Sequence, residues 1–154
     1  MERSLVLLKP DAVQRGLLGK IISRIEGKGL KLVGMKMIQA DAGLLAAHYA
    51  HLADQPFYPE LSRFMSQTPI VAVCVEGLDC VATLRLLCGV TKASEAAPGT
   101  IRGDLAMSVR SNLIHASDSL ETAEEEIRRF FGKDELFDYS PPLEGIVYSA
   151  NERG

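Results

Sequence analysis

Residues 112–119, with the sequence NLIHASDS, hold the densest group of reactive side chains in this chain. A short apolar pair brings His115 to the end of a predicted strand, and two serines and Asp118 follow directly. An imidazole in such a place can act as a base, a metal ligand or a nucleophile. The helix predicted next offers Glu124 and Glu126 as carboxylates that could hold one ring nitrogen, and periodicity does not choose between them.

Three cations elsewhere in the chain stand at positions suited to a phosphate ligand. Lys9 ends a predicted buried strand, where an ammonium group needs an anionic partner. Arg102 lies in the loop sequence APGTIRGD, and Arg85 lies on a predicted helix shortly before Thr91. Guanidinium groups bind phosphate oxygens in pairs, so the set suits a polyphosphate. A solvated helix position for Arg85 and a loop salt bridge for Arg102 are the structural alternatives.

Hydrophobic periodicity supplies the elements that must position these groups. It predicts strands over residues 4–9, 30–40, 69–75 and 112–115, with both faces of the first strand apolar. It predicts helices over residues 17–26, 41–49, 59–65, 78–87 and 119–131, and a long loop over 91–104. The alternation in 30–40 does not assign its inner face. This order of elements predicts an α+β sandwich of helices on a four-stranded sheet.

Capping residues mark two of the predicted boundaries. We expect Pro10 to stop the first strand and Asp11 to cap the segment that follows. Asp118 or Ser119 can cap the last helix, and Asp118 and Glu121 have capping-box spacing. On that helix an apolar face is predicted from residues at helical spacing: Leu120, Ala123, Ile127, Phe130 and Phe131. The tail from Gly132 carries Pro141 and Pro142 and is expected to run over the surface.

Composition narrows the functional classes. The chain has 154 residues, 47% of them hydrophobic, and a formal net charge of −3, which is typical of one globular domain without general nucleic-acid affinity. Its apolar runs are too short to cross a bilayer and no secretory signal is visible, so we expect a cytoplasmic location and no membrane partner. Cys74, Cys80 and Cys88 form no CxxC pair, which favours buried reduced thiols.

Two apparent motifs fail on spacing. The sequence GLLGK at 16–20 would need a glycine at Gln14 and a serine or threonine at Ile21 to be a phosphate-binding P-loop. His48 and His51 stand three residues apart, but no nearby cysteine or carboxylate completes a zinc ligand set. We therefore interpret the His48–His51 pair as a surface helix end.

The chain resembles the nucleoside diphosphate kinase family from Arg3 to about Phe131. The resemblance is carried by several motifs in order: LKPD at 8–11, HY at 48–49, QPF at 55–57, APGTIRGD at 97–104 and NLIHASDS at 112–119. It implies a ferredoxin-like βαββαβ sandwich, with a four-stranded antiparallel sheet and helices packed on it. It also implies a single domain over 1–154, with a core of about 3–131 and a C-terminal extension over 132–154.

The same resemblance implies an enzyme that moves the γ-phosphate of a nucleoside triphosphate, typically ATP, to a nucleoside or deoxynucleoside diphosphate. The route is ping-pong through a phosphohistidine at His115 and maintains the triphosphate pools. Lys9, Tyr49, Ser117 and Glu126 join His115 as catalytic residues, with Glu126 holding the ring through Ser117. The implied nucleotide-binding residues are Lys9, Phe57, Arg85, Thr91, Arg102 and Asn112. Phe57 would stack on the base, and Asn112 and Lys9 would contact the sugar.

The resemblance further implies Mg²⁺ held mainly by the nucleotide phosphates, with Asp118 reaching it through water and no metal ligated by protein side chains. A homo-oligomer is implied, a hexamer in preference to a tetramer. Ala116 stands where the family most often has glycine, and Ser111 stands where it usually has arginine. Two other classes compete with the kinase: a catalytically silent nucleotide-binding or scaffold relative, and a small α+β domain that binds metabolites.

Overall fold

Four strands form one antiparallel sheet in the computed structural model, which describes residues 1–141 and 144–152. The strands are β1 (Glu2–Leu8), β2 (Lys31–Ile38), β3 (Ile70–Gly77) and β4 (Ile114–Ala116). Their order across the sheet is β2-β3-β1-β4, so β1 and β3 are central and β2 is an edge strand. The predicted four-stranded antiparallel sheet is confirmed.

Helices cover both faces of this sheet. They are α1 (Pro10–Gln14), α2 (Leu18–Gly27), α3 (Ala42–His48), α4 (Tyr58–Ser66), α5 (Cys80–Cys88), α6 (Ile101–Leu105), α7 (Leu120–Phe130) and α8 (Glu144–Val147). Short 3₁₀ turns lie at Ala50–Leu52, Ala93–Glu95 and Lys133–Glu135. With α2 and α5 as the main crossovers, the core is the expected βαββαβ sandwich, and α3 and α4 are inserted between β2 and β3. Among the described helices, none is long and apolar enough to cross a membrane.

The central strand β1 is buried on both sides, as its double apolar pattern predicts. Val6 and Leu8 face a core shared with Ile21 and Ile25 of α2. Leu5 and Leu7 face the opposite core, which is formed with α3, α4 and α7. Strand β1, which ends directly before Lys9, is therefore fixed by packing on two faces.

A β-bulge explains why alternation in β2 assigns no inner face. The pairing with β3 shifts register between Leu32 and Gly34, so the side-chain alternation is interrupted at Val33. Val33 is buried, whereas Met35 and Met37 beyond the bulge are 54% and 57% exposed. A simple two-residue period cannot describe a strand that contains an extra residue.

The segment predicted as a long loop over 91–104 is more ordered than expected. It contains the 3₁₀ turn Ala93–Glu95 and most of α6. The Thr100 side chain caps α6 by accepting a hydrogen bond from the backbone N–H of Gly103 at 3.0 Å. A helix of five residues is too short to show an apolar period, so the sequence pattern could not predict it.

The predicted Asp11 cap is wrong, whereas Ser119, one of the two residues predicted to cap the last helix, is confirmed. Pro10 does end β1, but it opens helix α1, and the N-cap residue is Lys9. Asp11 instead accepts a hydrogen bond from the backbone N–H of Leu113 at 3.0 Å. At α7 the cap is Ser119, whose hydroxyl accepts from Thr122 N–H at 3.1 Å, so the proposed capping box of Asp118 with Glu121 is not formed.

The apolar face of α7 is shorter than predicted. Ala123, Ile127 and Phe130 are buried, but Leu120 is 51% exposed at the first turn. The described part of the tail lies along β2, where the Phe137 N–H donates to the Val33 carbonyl at 2.8 Å. Pro141 is described and partly buried, whereas Pro142 lies outside the described residues.

A matched pair of glycine substitutions tests the packing of α6. A Cβ at Gly103 would overlap the carbonyl oxygen of Ala97, whereas a Cβ at Gly19 in α2 would meet nothing within 4 Å. We expect Gly103→Ala to lower the free energy of unfolding by about 1–3 kcal/mol, because backbone must move. Gly19→Ala should raise it by up to about 1 kcal/mol through helix propensity. Denaturant unfolding of both variants measures this, and equal stability of the two would contradict the packing.

Candidate active site

The predicted functional residues converge on one cavity of about 640 Å³ beside the β1–β4 edge of the sheet. Nine of them line it: Lys9, Tyr49, Phe57, Arg85, Thr91, Arg102, Asn112, His115 and Glu126. Ser117 is fully buried behind the lining, and Asp118 stands at the rim. Residues that are up to 117 positions apart in sequence therefore share one site.

Glu126 makes direct contact with the His115 ring. Its carboxylate oxygens lie 3.0 and 3.1 Å from His115 Nε2. The Ser117 hydroxyl donates to the same carboxylate at 2.6 Å. Ser117 therefore supports Glu126 from behind, and the expectation that Glu126 reaches the ring through Ser117 is wrong. Glu124 is exposed and pairs with Arg128 at 2.9 Å, which decides the choice that periodicity left open.

The buried Glu126 carboxylate is kept ionised by its partners. Burial acts to raise the pKa of Glu126, but the hydrogen bonds from His115 and Ser117 outweigh it and hold the pKa below its ordinary value. An ionised carboxylate at Nε2 favours the tautomer that carries its proton there. Nδ1 is then the ring nitrogen with a free lone pair.

A strained turn presents His115. Leu113 has a φ of +71° although it is not glycine, and Ile114 N–H donates to the Asn112 carbonyl at 2.8 Å, closing a three-residue γ-turn. Such a backbone costs about 1–3 kcal/mol and persists only where its surroundings fix it. Here Lys9 N–H bonds to the Leu113 carbonyl at 2.9 Å, and Asp11 holds the Leu113 N–H.

Ala116 has none of this strain. The left-handed non-glycine residues within the described ranges are Asp79 and Leu113. Ala116 lies in β4, opposite Val6 of β1. Its methyl group therefore conflicts with no backbone requirement, and an alanine is compatible with this position.

Asn112 links several walls of the cavity. Its side-chain oxygen accepts from Lys9 Nζ at 2.7 Å, and its amide nitrogen donates to the carbonyls of Thr91 and Val109, both at 2.9 Å. Burial, reinforced by the positive charge of Arg102, lowers the pKa of Lys9 to about 8, although Asp11 acts in the opposite direction. Lys9 thus carries a destabilised cation that an anionic ligand would favour.

Arg102 is a buried part of the cavity wall. It donates to the carbonyls of Asn112 at 3.3 Å, Gly89 at 2.7 Å and Ile114 at 2.5 Å. These bonds use three of the five N–H donors of a guanidinium group and leave two for a ligand. The alternative of a loop salt bridge is wrong for Arg102, because the side chain bonds to carbonyl groups.

The rim combines exposed charge with exposed apolar surface. Arg85 and Thr91 are exposed at one side, which leaves their polar groups accessible to a ligand. Phe57 is 41% exposed and Val109 is 60% exposed, and both line the cavity. Sequence reasoning missed Val109, because a single apolar residue in a loop has no period to mark it.

Sequence reasoning also misplaced His48. It is only 4% exposed, and its ring packs against His115 with centroids 4.8 Å apart, so it is not on the surface. Burial and nearby His115 lower its pKa to about 3, in spite of Glu126. The helical spacing of Leu45, His48 and Tyr49 on the buried face of α3 was the signal that could have shown this. His51 is exposed, as expected.

This arrangement suits a polyanion next to an imidazole whose Nε2 is engaged by Glu126. Lys9, Arg85, Arg102 and Arg110 bring four cations to the cavity, and Arg110 is paired with Glu60. The carboxylates that face them are Asp118 at the rim and Glu126, which is already engaged with His115. The surplus positive charge favours phosphate groups beside the free Nδ1.

Comparison with known proteins agrees with this geometry. The model of the nucleoside diphosphate kinase family matches residues 2–136. A nucleoside diphosphate kinase of Parabacteroides distasonis is 53% identical over 139 residues, covering 90% of this chain and 91% of the relative. One of Staphylococcus saprophyticus is 51% identical over 148 residues, covering 96% and 99%.

Solved structures give the same result. A halophilic nucleoside diphosphate kinase from Halobacterium salinarum in complex with CDP has a TM-score of 0.93 and 46% identity, covering 96% of this chain and 98% of that one. A family protein from Babesia bovis also has a TM-score of 0.93, at 38% identity, covering 96% and 100%. Agreement of sequence and fold over nearly the full length leaves one conclusion: this chain belongs to the nucleoside diphosphate kinase family.

Proposed function

We propose that this protein transfers the terminal phosphate of a nucleoside triphosphate to a nucleoside diphosphate through a phosphohistidine at His115. One observation carries the proposal: Glu126 occupies Nε2 at 3.0 Å and leaves Nδ1 free on a ring that lines a cationic cavity. A histidine held in this way is an activated nucleophile.

The proposed reaction has two half-reactions at one site. In the first, the Nδ1 lone pair attacks the γ-phosphorus, an N–P bond forms, and the bond to the diphosphate leaving group breaks. In the second, a bound nucleoside diphosphate attacks the phosphohistidine and restores the ring. Glu126 holds the Nε2 proton throughout, so it stabilises the positive charge that develops on the ring.

Charge neutralisation is assigned to Lys9, Arg85 and Arg102, with Thr91 as a hydroxyl donor. Phosphoryl transfer depends on positioning and on stabilising charge spread over the transferring oxygens. The two unused N–H donors of Arg102 suit this role, because the guanidinium is already fixed by backbone carbonyls. Tyr49 is assigned a place beside the γ-phosphate, and burial raises the pKa of Tyr49, so its hydroxyl stays protonated.

Sugar and base contacts follow from the rest of the cavity. Lys9 and Asn112, joined at 2.7 Å, are assigned to the sugar hydroxyls. Phe57 offers its exposed ring for stacking on the base, and Val109 lines the same cavity. A stacked ring contacts a π-face that every base has, which gives broad base tolerance. ATP, nucleoside diphosphates and deoxynucleoside diphosphates are therefore the proposed ligands.

Mg²⁺ is proposed to enter with the nucleotide. The cavity offers one carboxylate that is not already engaged, Asp118, and it is exposed at the rim. A single carboxylate suits an ion held mainly by phosphate oxygens and water, with Asp118 as an outer contact. When bound, the ion would neutralise charge on the transferring phosphate.

Assembly and location are proposals as well. We favour a single domain over 1–154, with a core of about 3–131, that forms a homo-oligomer and a hexamer in preference to a tetramer. The exposed Met35 and Met37 on the edge strand β2 support association. The buried unpaired thiols of Cys74, Cys80 and Cys88 support a reducing, cytoplasmic location. Sedimentation velocity distinguishes hexamer from tetramer.

The nucleophile is tested with γ-labelled ATP and Mg²⁺. Wild-type protein should acquire acid-labile, base-stable label that a nucleoside diphosphate removes, because a phosphoramidate bond forms. His115→Ala should acquire none while binding nucleotide within a few-fold of wild type, measured by calorimetry. Glu124→Gln, an exposed position of α7 outside the cavity, is the control and should keep its label. Label that survives in His115→Ala would refute the nucleophile, and an unlabelled wild type would favour a silent relative.

The pKa of Lys9 predicts a pH dependence of nucleotide binding. Lys9 loses its charge as the pH rises through about 8, so affinity for a nucleoside diphosphate should fall between pH 7 and pH 9. Lys9→Met removes the charge at every pH, so its weaker binding should be flat over this range. Calorimetry at several pH values measures both proteins. Parallel profiles for the two would show that another group titrates.

A further inference from the structure

Three potential metal ligands, His48, His115 and Glu126, meet on the Nε2 side of the His115 ring. Glu126 Oε1 lies 3.0 Å from His115 Nε2 and 3.6 Å from His48 Nδ1. One donor atom from each residue lies within 4.8 Å of the other two. The His48 and Glu126 side chains are 1% and 6% exposed, and His115 is 24% exposed, so only His115 opens widely to the cavity.

This set of donor atoms favours zinc over Mg²⁺. Two imidazoles and one carboxylate form the ligand set of zinc sites that keep an open fourth position, whereas Mg²⁺ prefers oxygen ligands alone. Ligands at 2.0–2.1 Å from a tetrahedral ion stand about 3.3 Å apart. The two separations from Glu126 Oε1, 3.0 and 3.6 Å, bracket that value. The donor atoms of the two rings lie within 4.8 Å of each other, so the rings must turn toward each other to complete the site.

A bound ion would replace the hydrogen bonds between His115 and Glu126 and between Arg129 and His48, whereas the bond from Ser117 can remain. Ser117 donates to Oε2 of Glu126 at 2.6 Å, on the other oxygen from the one that faces His48. Within the described structure, His48 Nε2 is buried without a hydrogen-bond partner, so no bond to that atom resists a turn of the ring.

One cation competes for the site. Arg129 Nη1 lies 3.5 Å from His48 Nδ1, and its guanidinium must move aside before an ion binds. Arg129 is half-buried on α7, so it has solvent to move into. Its charge should weaken metal binding, which makes its removal an informative variant.

We propose that His48, His115 and Glu126 bind a divalent ion of the zinc type and that this ion switches off the nucleophile. The inhibitory step rests on the proposed phosphotransfer function. An ion on Nε2 leaves the single proton of the neutral ring on Nδ1, which removes the lone pair that attacks phosphorus. Nδ1 of His115 then cannot accept a phosphate until the ion leaves.

Zinc binding is tested first, on nucleotide-free, metal-free protein. Titration with ZnCl₂ should give one site per chain, and CoCl₂ should give the intense visible absorption of tetrahedral cobalt. His48→Gln should weaken Zn²⁺ binding at least about tenfold. Arg129→Gln should tighten it. Glu124→Gln, which changes an exposed carboxylate of α7 outside the cavity, is the control and should match wild type.

Any one of three results would overturn the proposed metal site. Undiminished Zn²⁺ affinity in His48→Gln, or an equal loss in Glu124→Gln, would overturn the site. A Co²⁺ spectrum without tetrahedral bands would also overturn it.

Inhibition is tested by labelling with γ-labelled ATP in excess Mg²⁺. Saturating Zn²⁺ should suppress the label on wild-type protein, and a zinc-selective chelator should restore it. His48→Gln should resist Zn²⁺ relative to its own metal-free labelling. Unchanged wild-type labelling at saturating Zn²⁺ would overturn the inhibitory step. The binding titration needs no nucleotide, so a metal-free protein that fails to label counts against phosphotransfer and leaves the result for the metal site standing.

Discussion

The rest of the site depends on the hydrogen bond between Glu126 and His115 Nε2. A buried carboxylate costs several kcal/mol unless its oxygens are paired, and here His115 and Ser117 pair them at 3.0 and 2.6 Å. That bond sets the tautomer, so it selects which ring nitrogen can react. It holds only while β4 and α7 keep their relative positions, which is why the cores on both faces of the sheet matter for chemistry.

Paired buried polar groups also hold the opposite wall of the cavity in place. Lys9, Asp11 and Arg102 bind the backbone or side chains of residues 112–114, so the strained turn at Leu113 is held from two separate segments, residues 9–11 and helix α6. A satisfied buried network of this kind is rigid, whereas the loss of one member leaves its partners unpaired. Lys9 and Arg102 are thereby fixed before a ligand arrives, which lowers the cost of ordering them on binding.

Periodicity predicted every strand and the longer helices to within a few residues, because each buries one or two faces in a core. It failed where a short or irregular feature has no period: helix α6, the bulge at Val33 and the start of α1. The cavity residues were recognised from their types and from the family resemblance. The surface assignment of His48 was wrong because it rested on the spacing between His48 and His51 and not on the position of His48 on the buried face of α3.

Taken alone, the sequence determined the residue types, the sandwich of helices on a four-stranded sheet and the resemblance to nucleoside diphosphate kinases. The resemblance already implied Glu126 as the carboxylate that holds the ring. Tertiary structure alone decided that Glu126 meets the ring directly and that His48 joins them. The physical reason is the long sequence distance between the residues that come into contact. A pattern records which face of an element is apolar, but the contact between Asp11 and Leu113 joins positions 102 residues apart, and only packing determines which polar groups then meet.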